Sequence, residues 1–274
     1  MSGASEQPGR GETTRLDQAL VRRGLARSRV QARDLVRAAR VHVDGIPATK
    51  AAAPVAAGAD LHVEGPVDPW VGRGAVKLRG ALEAFEIAVA GRRCLDVGAS
   101  TGGFTQVLLQ AGAESVLALD VGHGQLALVL AADPRVTDRP GTDIRAVDAQ
   151  ALGRFDVVVA DVSFISLTLV LGRVADLLAP SADLVVLVKP QFEVGRGKVG
   201  KGGVVRAWAD RHDALVAVCR TLEDVGIGIF GMTPSPVRGA SGNREYLVWG
   251  STRDDGRLGW PQVLARAEQM EASE

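Results

Sequence analysis

The stretch Asp96-Val97-Gly98-Ala99-Ser100-Thr101-Gly102-Gly103-Phe104-Thr105 restricts the fold of this chain more than any other. Cys94 and Leu95 before it read as the end of a buried strand, and Gln106 to Ala111 after it read as a helix. It is therefore a strand–glycine loop–helix corner. Glycines at 98, 102 and 103 let the backbone turn sharply and approach a ligand that a Cβ would block. The helix N-terminus behind them offers free N–H groups. A dinucleotide pyrophosphate calls for G-x-G-x-x-G at such a corner. Here Ala99 and Ser100 follow Gly98, the spacing is G-x-x-x-G-G, and a pyrophosphate fits poorly.

The pattern D-x-G-x-x-x-G-G resembles instead the S-adenosylmethionine loop of class I methyltransferases, which lies along the amino acid part of the cofactor. That resemblance assigns Asp96, Gly98, Ala99, Ser100, Thr101, Gly102, Gly103 and Phe104 to the cofactor. The next apolar run, Ser115 to Leu119, ends in Asp120 and Val121, and Gly122 to Gln125 then lead into an expected apolar helix to about Ala131. An acid at that position can hold two ribose hydroxyls by charge-assisted hydrogen bonds. Gly141-Thr142-Asp143-Ile144 follows the expected third strand. In the fold that the resemblance implies, the adenine lies near this strand end, so Asp143 and Ile144 join the cofactor set, as does Asp161 at a later strand end. A bare tight turn and a helix cap are the competing readings of the loop and of Asp120. Loop, strand and acid in the right order argue against them.

A length of 274 residues allows one large domain or two smaller ones. The 46% of hydrophobic residues indicates a folded protein, yet its apolar runs, such as Leu184 to Val188, are strand-sized. None approaches the roughly 20 residues of a membrane helix. Residues 1–12 are polar and rich in small residues, with no signal-peptide core, and are expected to be a disordered leader. A cytoplasmic protein is the expectation. Cys94 and Cys219 form no C-x-x-C, and His42, His62, His123 and His212 lack metal-ligand spacing, so buried thiols and no metal are expected.

The net charge is zero, but it is segregated. Arg15, Arg22, Arg23, Arg27, Arg29, Arg33, Arg37, Arg40 and Lys50 are set against only Asp17, Asp34 and Asp44 in the same window. Such a basic segment suits a polyanion. Leu16, Ala19 and Leu20 have helical spacing up to Gly24, and Ser28 can cap a second helix from Arg29 to Ala39. Val41 to Ile46 alternates and turns at Asp44-Gly45, and Ala59 to Glu64 reads as a further strand. Residues 13–66 resemble the alpha-L RNA-binding module, on Arg15-Leu16-Asp17, Arg23-Gly24-Leu25, Ser28-Arg29, Ala32, Val41 to Gly45 and Lys50. No Phe, Tyr or Trp precedes Trp70, so the module has no stacking platform. It is expected to grip folded RNA through phosphates and shape. Arg73, Arg196, Lys198 and Lys201 extend the expected RNA-binding set. A merely solvated basic surface is the alternative.

Residues 67–73 read as a linker stiffened by proline, and 74–274 as the second domain. There, strands alternate with helices, and a last strand pair, Ile227 to Phe230 and Glu245 to Trp249, has no helix between its members. The fold class expected is α/β, a Rossmann-like, mostly parallel sheet with an antiparallel edge, preceded by the small α+β module.

Ligands bind such sheets beyond the carboxyl ends of the strands. Asp161 and Lys189 stand at two of those ends, Lys77 lies on the helix before the first strand, and Glu245 opens the last. The set Lys77, Asp161, Lys189, Glu245 resembles the tetrad of FtsJ/RrmJ-type ribose 2′-O-methyltransferases. In that reading Lys189, beside another cation, accepts the hydroxyl proton or stabilises the alkoxide, and Asp161 orients it. Lys77 and Glu245 hold the hydroxyl. Only five of the 32 basic residues are lysines, and two of them fall in this set. Asp161-Val162-Ser163-Phe164 lacks the Pro-Pro of base-amino methyltransferases, which favours an oxygen target; Phe164 reads either as a base-stacking residue or as core. A long Gly/basic loop runs from Glu193 to Arg206.

From residue 13 to about 250 the chain resembles the TlyA family. The resemblance implies cytidine 2′-O-methylation of ribosomal RNA in assembled subunits, with S-adenosylmethionine as donor and without an obligate protein partner. The family's Arg-x-Trp-Val linker reads Asp68-Pro69-Trp70-Val71 here, so the linker arginine is missing. A non-catalytic RNA-binding or assembly protein is the alternative. The family also carries a haemolysin label, for which no apolar span is evident.

Overall fold

The computed structural model describes residues 13–65, 69–239 and 241–272. The expected leader, 1–12, and the linker residues 67 and 68 lie outside the described residues, as does the side chain of Arg196. The chain divides into two compact units, with the boundary along the chain between Gly72 and Arg73.

The first unit contains β1 (Thr13–Arg15), α1 (Leu16–Arg22), α2 (Arg29–Arg37), β2 (Val41–Val43), β3 (Ile46–Pro47), β4 (Pro54–Ala56) and β5 (Leu61–Val63). Its core is the helical spacing made solid: Leu16, Ala19 and Leu20 of α1 pack with Ala32, Leu35 and Val36 of α2. The Gln31 amide donates to the Ser28 hydroxyl at 3.1 Å, which caps α2 as the sequence predicts. The β2–β3 hairpin turns through Asp44 and Gly45, both at positive φ (52° and 79°), as a two-residue loop of matching twist requires. The pairing of β1 with β4 has no periodic signature and escaped the sequence reading. Ser28 Oγ donates to the Val71 carbonyl and Gln31 Nε2 to that of Trp70 (3.1 Å). The end of the expected linker is thus tied to the start of α2.

The second unit runs α3 (Gly74–Phe85), β6 (Arg93–Val97), α4 (Gly103–Gln110), β7 (Ser115–Leu119), α5 (Leu128–Ala131), β8 (Val136–Arg139), α6 (Ala149–Leu152), β9 (Phe155–Ala160), α7 (Leu171–Asp176), β10 (Leu178–Val188), α8 (Pro190–Glu193), α9 (Trp208–Asp224), β11 (Gly228–Pro234), β12 (Tyr246–Ser251) and α10 (Trp260–Ala272). Its strands form one sheet in the order β11-β12-β10-β9-β6-β7-β8. The pairs from β10 to β8 are parallel; β12 lies antiparallel to both β10 and β11. The antiparallel edge is therefore present, and the reversed strand sits one place in from it. Val157 to Ala160 and Leu184 to Val188 are buried without alternation, because helices cover both faces.

Two differences from the sequence reading have physical causes. The apolar helix expected up to Ala131 shrinks to the four residues of α5, since Gly122 and Gly124 break the segment before it. Leu128 and Val129 of α5 are left exposed. The C-terminal α10 was not anticipated; it buries Val263, Ala267 and Met270 against the core at helical spacing.

Candidate active site

The glycine corner joins β6 to α4. Asp96, fully buried in β6, accepts the Thr105 amide (2.9 Å) and hydroxyl (2.7 Å) on Oδ2, while its Oδ1 has no hydrogen-bond partner. Burial pushes the Asp96 carboxyl up to about 7; Thr105 pulls against this, and the charges of Asp161 and Asp120 push the same way. Gly98 and Ala99 donate to the Leu119 carbonyl at 2.8 and 3.1 Å, and Ser100 N donates to Asp120 Oδ2 at 2.8 Å. The loop is thus fixed onto the end of β7. A Cβ on Gly98 (φ +83°) would lie 2.6 Å from the Asp161 carbonyl oxygen, and one on Gly102 (φ +90°) would meet Leu126 and Leu130. These two glycines serve the packing of the corner itself, a second reason for glycine beside the expected approach of a ligand.

Beside the corner lies a cavity of about 440 Å³ at the carboxyl ends of β6, β7 and β9. Of the expected cofactor residues, Gly98, Ser100, Asp120, Val121, Asp143, Ile144 and Asp161 line it. Asp96, Ala99, Thr101, Gly102, Gly103 and Phe104 do not; they build the loop behind the wall. Asp120 accepts Gly122 N at 2.7 Å on its second oxygen. Each oxygen then keeps acceptor capacity. Asp143 accepts from Arg145 Nη2 at 2.6 Å, and this guanidinium holds its carboxyl below the ordinary range. The sequence reading missed Gln125, which accepts from Ser100 Oγ at 3.1 Å, and also Arg145 and Ser163. Gln125 carries no motif signal, whereas the spacing Asp143-x-Arg145 is a readable local pair. Three aspartates against one arginine, itself paired, make the cavity wall acidic.

The four tetrad residues fall into two ion pairs. Lys77 Nζ lies 2.5 Å from Glu245 Oε2, with both side chains almost fully buried. Gly239 makes room for that carboxylate, since a Cβ there would lie 2.3 Å from Glu245 Oε1. Lys189 Nζ lies 2.6 Å from Asp161 Oδ1 and donates to Ser163 Oγ at 2.7 Å. Each lysine is matched by a carboxylate, so the cation expected beside Lys189 is itself balanced. The start of α3 reaches this place: a Cβ on Gly74 would lie 3.7 Å from Asp161 Oδ2.

Phe164 is 92% exposed and stands at φ +66°. That removes the core reading of this side chain. A bulky residue in left-handed backbone costs on the order of 1–3 kcal/mol. Its ring pairs with Phe192, centroids 5.2 Å apart, and Lys189 Nζ lies 5.9 Å from the Phe192 centroid. Glu193 pins the loop that follows, accepting Ser166 Oγ at 2.5 Å and Leu167 N at 3.0 Å.

The basic residues divide. Arg15 and Arg29 both hold the buried Asp17, at 3.0 and 3.2 Å, and present half-exposed guanidiniums. Arg23 donates to the carbonyls of Ala57 (2.6 Å) and Ala59 (2.5 Å), Arg33 to that of Arg29 (3.1 Å), and Arg37 pairs with Asp34 at 2.7 Å. Among the described residues no carboxylate pairs with Arg22, Arg27, Lys50 or Lys201. Lys198 is held by Asp210 at 2.8 Å and Asp213 at 3.6 Å on α9, so its charge is locally balanced. Arg73 stands at the N-cap of α3.

A reversed strand next to the edge of a parallel sheet, a glycine corner, and an acid after the second strand define a class I methyltransferase. Residues 70–252 match the family model of FtsJ-like methyltransferases, and residues 14–61 match that of the S4 domain. The chain is 53% identical over 246 residues to the 16S/23S rRNA (cytidine-2′-O)-methyltransferase TlyA of Mycobacterium tuberculosis, covering 89% of this chain and 92% of the relative. It is 38% identical to Hemolysin A of Brachyspira hyodysenteriae, covering 85% and 98%. A solved structure from Streptococcus thermophilus, described as a candidate hemolysin, superposes with a TM-score of 0.72 at 34% identity, covering 95% and 98%. The chain belongs to the TlyA family of FtsJ-like methyltransferases with an N-terminal S4 domain. No helix among the described residues is long and apolar enough to cross a membrane.

Proposed function

We propose that this chain methylates the 2′-hydroxyl of a cytidine ribose in ribosomal RNA, taking the methyl from S-adenosylmethionine and acting on assembled subunits. The Lys189–Asp161 pair beside an acid-walled cavity carries the reading. When bound, S-adenosylmethionine supplies a methyl group on a positively charged sulfur. The residues present suit it. The cavity volume falls in the roughly 300–1,000 Å³ range of small-molecule sites. An acidic wall attracts a sulfonium cation, whereas the pyrophosphate of a dinucleotide would meet like charge. Asp120 keeps acceptor capacity for ribose hydroxyls, and Ile144 and Val121 offer apolar surface for a base.

Lys189, as an ammonium, stabilises the negative charge that grows on the attacking ribose oxygen. Asp161 fixes the position of its Nζ. Lys77 and Glu245 form a buried neutral pair that keeps α3 and β12 in register with the site and completes the charge balance. The exposed Phe164 ring offers a face to the target base. Arg15, Arg22, Arg27, Arg29 and Lys50 supply phosphate contacts, and the absence of aromatic residues before Trp70 makes the module a reader of RNA shape.

The test is transfer of labelled methyl from S-adenosylmethionine to unmodified ribosomal subunits. Label that resists alkali at a ribose is the expected result. No transfer to either subunit, despite cofactor and RNA binding, would replace this reading with a non-catalytic RNA-binding protein.

A further inference from the structure

The tetrad leaves one polar group beside Lys189 without an assigned task. Ser163 Oγ accepts a hydrogen bond from Lys189 Nζ at 2.7 Å, and it also lines the acid-walled cavity. A lysine ammonium has three N–H donors. One is donated to Ser163 Oγ, and even with another turned toward Asp161 Oδ1, in ion-pair contact at 2.6 Å, a third is left. The Ser163 hydroxyl has one O–H of its own, and among the described residues nothing accepts it. Two unspent donors therefore sit on atoms 2.7 Å apart. That is close enough for a single oxygen to accept from both at ordinary hydrogen-bond lengths.

The position of Ser163 is fixed from both sides. The Asp161 carbonyl lies against Gly98, where a Cβ would come within 2.6 Å. Glu193 grips Ser166 and Leu167 a few residues further on. Between these anchors Phe164 is held in left-handed backbone. Donors fixed before the reaction begins stabilise developing charge without reorganising.

We propose that Ser163 is a further catalytic residue, whose hydroxyl joins the third N–H of Lys189 to cradle the attacking ribose oxygen. This rests on the methyltransferase reading above. As the new C–O bond forms and the methyl–sulfur bond breaks, the sulfur keeps the bonding electron pair and the ribose hydroxyl loses its proton to solvent. The negative charge on that oxygen is greatest once the proton is leaving and before the methyl is bonded, and there the two donors act.

The experiment measures single-turnover methyl transfer to unmodified subunits for the wild type, Ser163→Ala and Ser163→Thr, with cofactor and RNA affinities measured in parallel. The wild type comes first, since no ribose label from it overturns the methyltransferase reading and this proposal with it. With the wild type active, Ser163→Ala is expected to lose on the order of 10²-fold in rate, with both affinities within about two-fold, the size of one oxyanion donor. Ser163→Thr keeps the hydroxyl and is expected to hold the rate within about ten-fold. An unchanged rate in Ser163→Ala, an equal loss in both variants, or a loss traced to cofactor or RNA affinity would each overturn the role of Ser163 and leave the methyltransferase standing.

Discussion

Asp17 and Asp96 are both shielded fully from solvent, one in each unit, and the two units treat them in opposite ways. Burial pushes the Asp17 carboxyl up, but hydrogen bonds from Arg15 and Arg29 outweigh it and hold the carboxyl below the ordinary range. Asp96 has only Thr105 and an oxygen with no partner, and its carboxyl rises to about 7. The S4 module meets its buried charge with its own cations. The catalytic unit sets Asp120, Asp143 and Asp161 on one cavity wall with Asp96 behind it, pairs Asp143 with Arg145 and Asp161 with Lys189, and among the described residues leaves Asp96 and Asp120 without a cation. A self-satisfied charge makes a rigid binding surface, and an unsatisfied one makes a site.

The largest effect that would break this contrast concerns the Lys189–Asp161 pair beside the cavity. Lys189→Ala is expected to lower single-turnover methyl transfer on the order of 10³-fold or more, with RNA affinity kept within about two-fold. Transfer that survives the substitution would remove Lys189 from the chemistry. Lys77→Ala differs in kind, because it leaves Glu245 buried without a partner. Denaturant melts are expected to show a loss of about 3–5 kcal/mol in addition to lost activity. A stability loss equal for both lysines would erase the distinction between a structural and a catalytic pair.

Next in size is the pH dependence, where the two aspartates predict opposite signs. The folded value of Asp17 is lowered, so its contribution is present above the unfolded value near 3.8 and is lost as pH falls through the folded one. Asp96 is raised, so stability is greatest below about 3.8 and declines as pH climbs to about 7, beyond which it is flat. Asp96→Asn keeps an acceptor for Thr105 and is expected to raise the melting temperature at pH 8 and to change it little at pH 4. The same charge acts on the ligand. Affinity for S-adenosylmethionine is expected to rise several-fold between pH 6 and 8, relative to the uncharged thioether product. A parallel pH course for cation and product would show that Asp96 does not contribute to the field.

Much of this was legible before any coordinates. The α1–α2 pair, the Asp44-Gly45 turn, the glycine corner and the strand-end acids have local signals: helical spacing, turn chemistry, unbroken apolar runs. The tetrad was legible as four residues, since each stands at an element end, but its division into two pairs was not. Lys77 and Glu245 are 168 residues apart, and their contact depends on β12 entering between β10 and β11. The donors around Lys189 follow the same rule. Ser163 looks like an ordinary loop serine until the turn after β9 brings it to the lysine. The reason for Gly98 was also hidden, since the Asp161 carbonyl that excludes a Cβ belongs to another loop. What sequence alone could not supply was pairing between elements, which packing decides.

The smallest effect concerns the module's surface cations. Arg15 and Arg29 are tied to Asp17, and Arg23 to two carbonyls, so their directions are set by the fold. Arg22 and Arg27 have no carboxylate beside them among the described residues, and they act as part of a diffuse positive field. Arg27→Ala is expected to weaken RNA binding roughly two- to five-fold near 0.1 M salt, as the loss of an exposed ion pair would. The slope of log affinity against log salt is expected to fall by about one. Its single-turnover rate at saturating RNA should stay at the wild-type value, because nothing in the methyl-transfer site depends on it. Arg29→Ala sharpens the contrast. It is expected to weaken RNA binding by the same amount, and because it also leaves Asp17 with one arginine instead of two, to shift the acid unfolding midpoint upward as well. If the two variants matched in acid unfolding, Asp17 would be organised by Arg15 alone, and the module's buried charge would be less completely met than the geometry indicates.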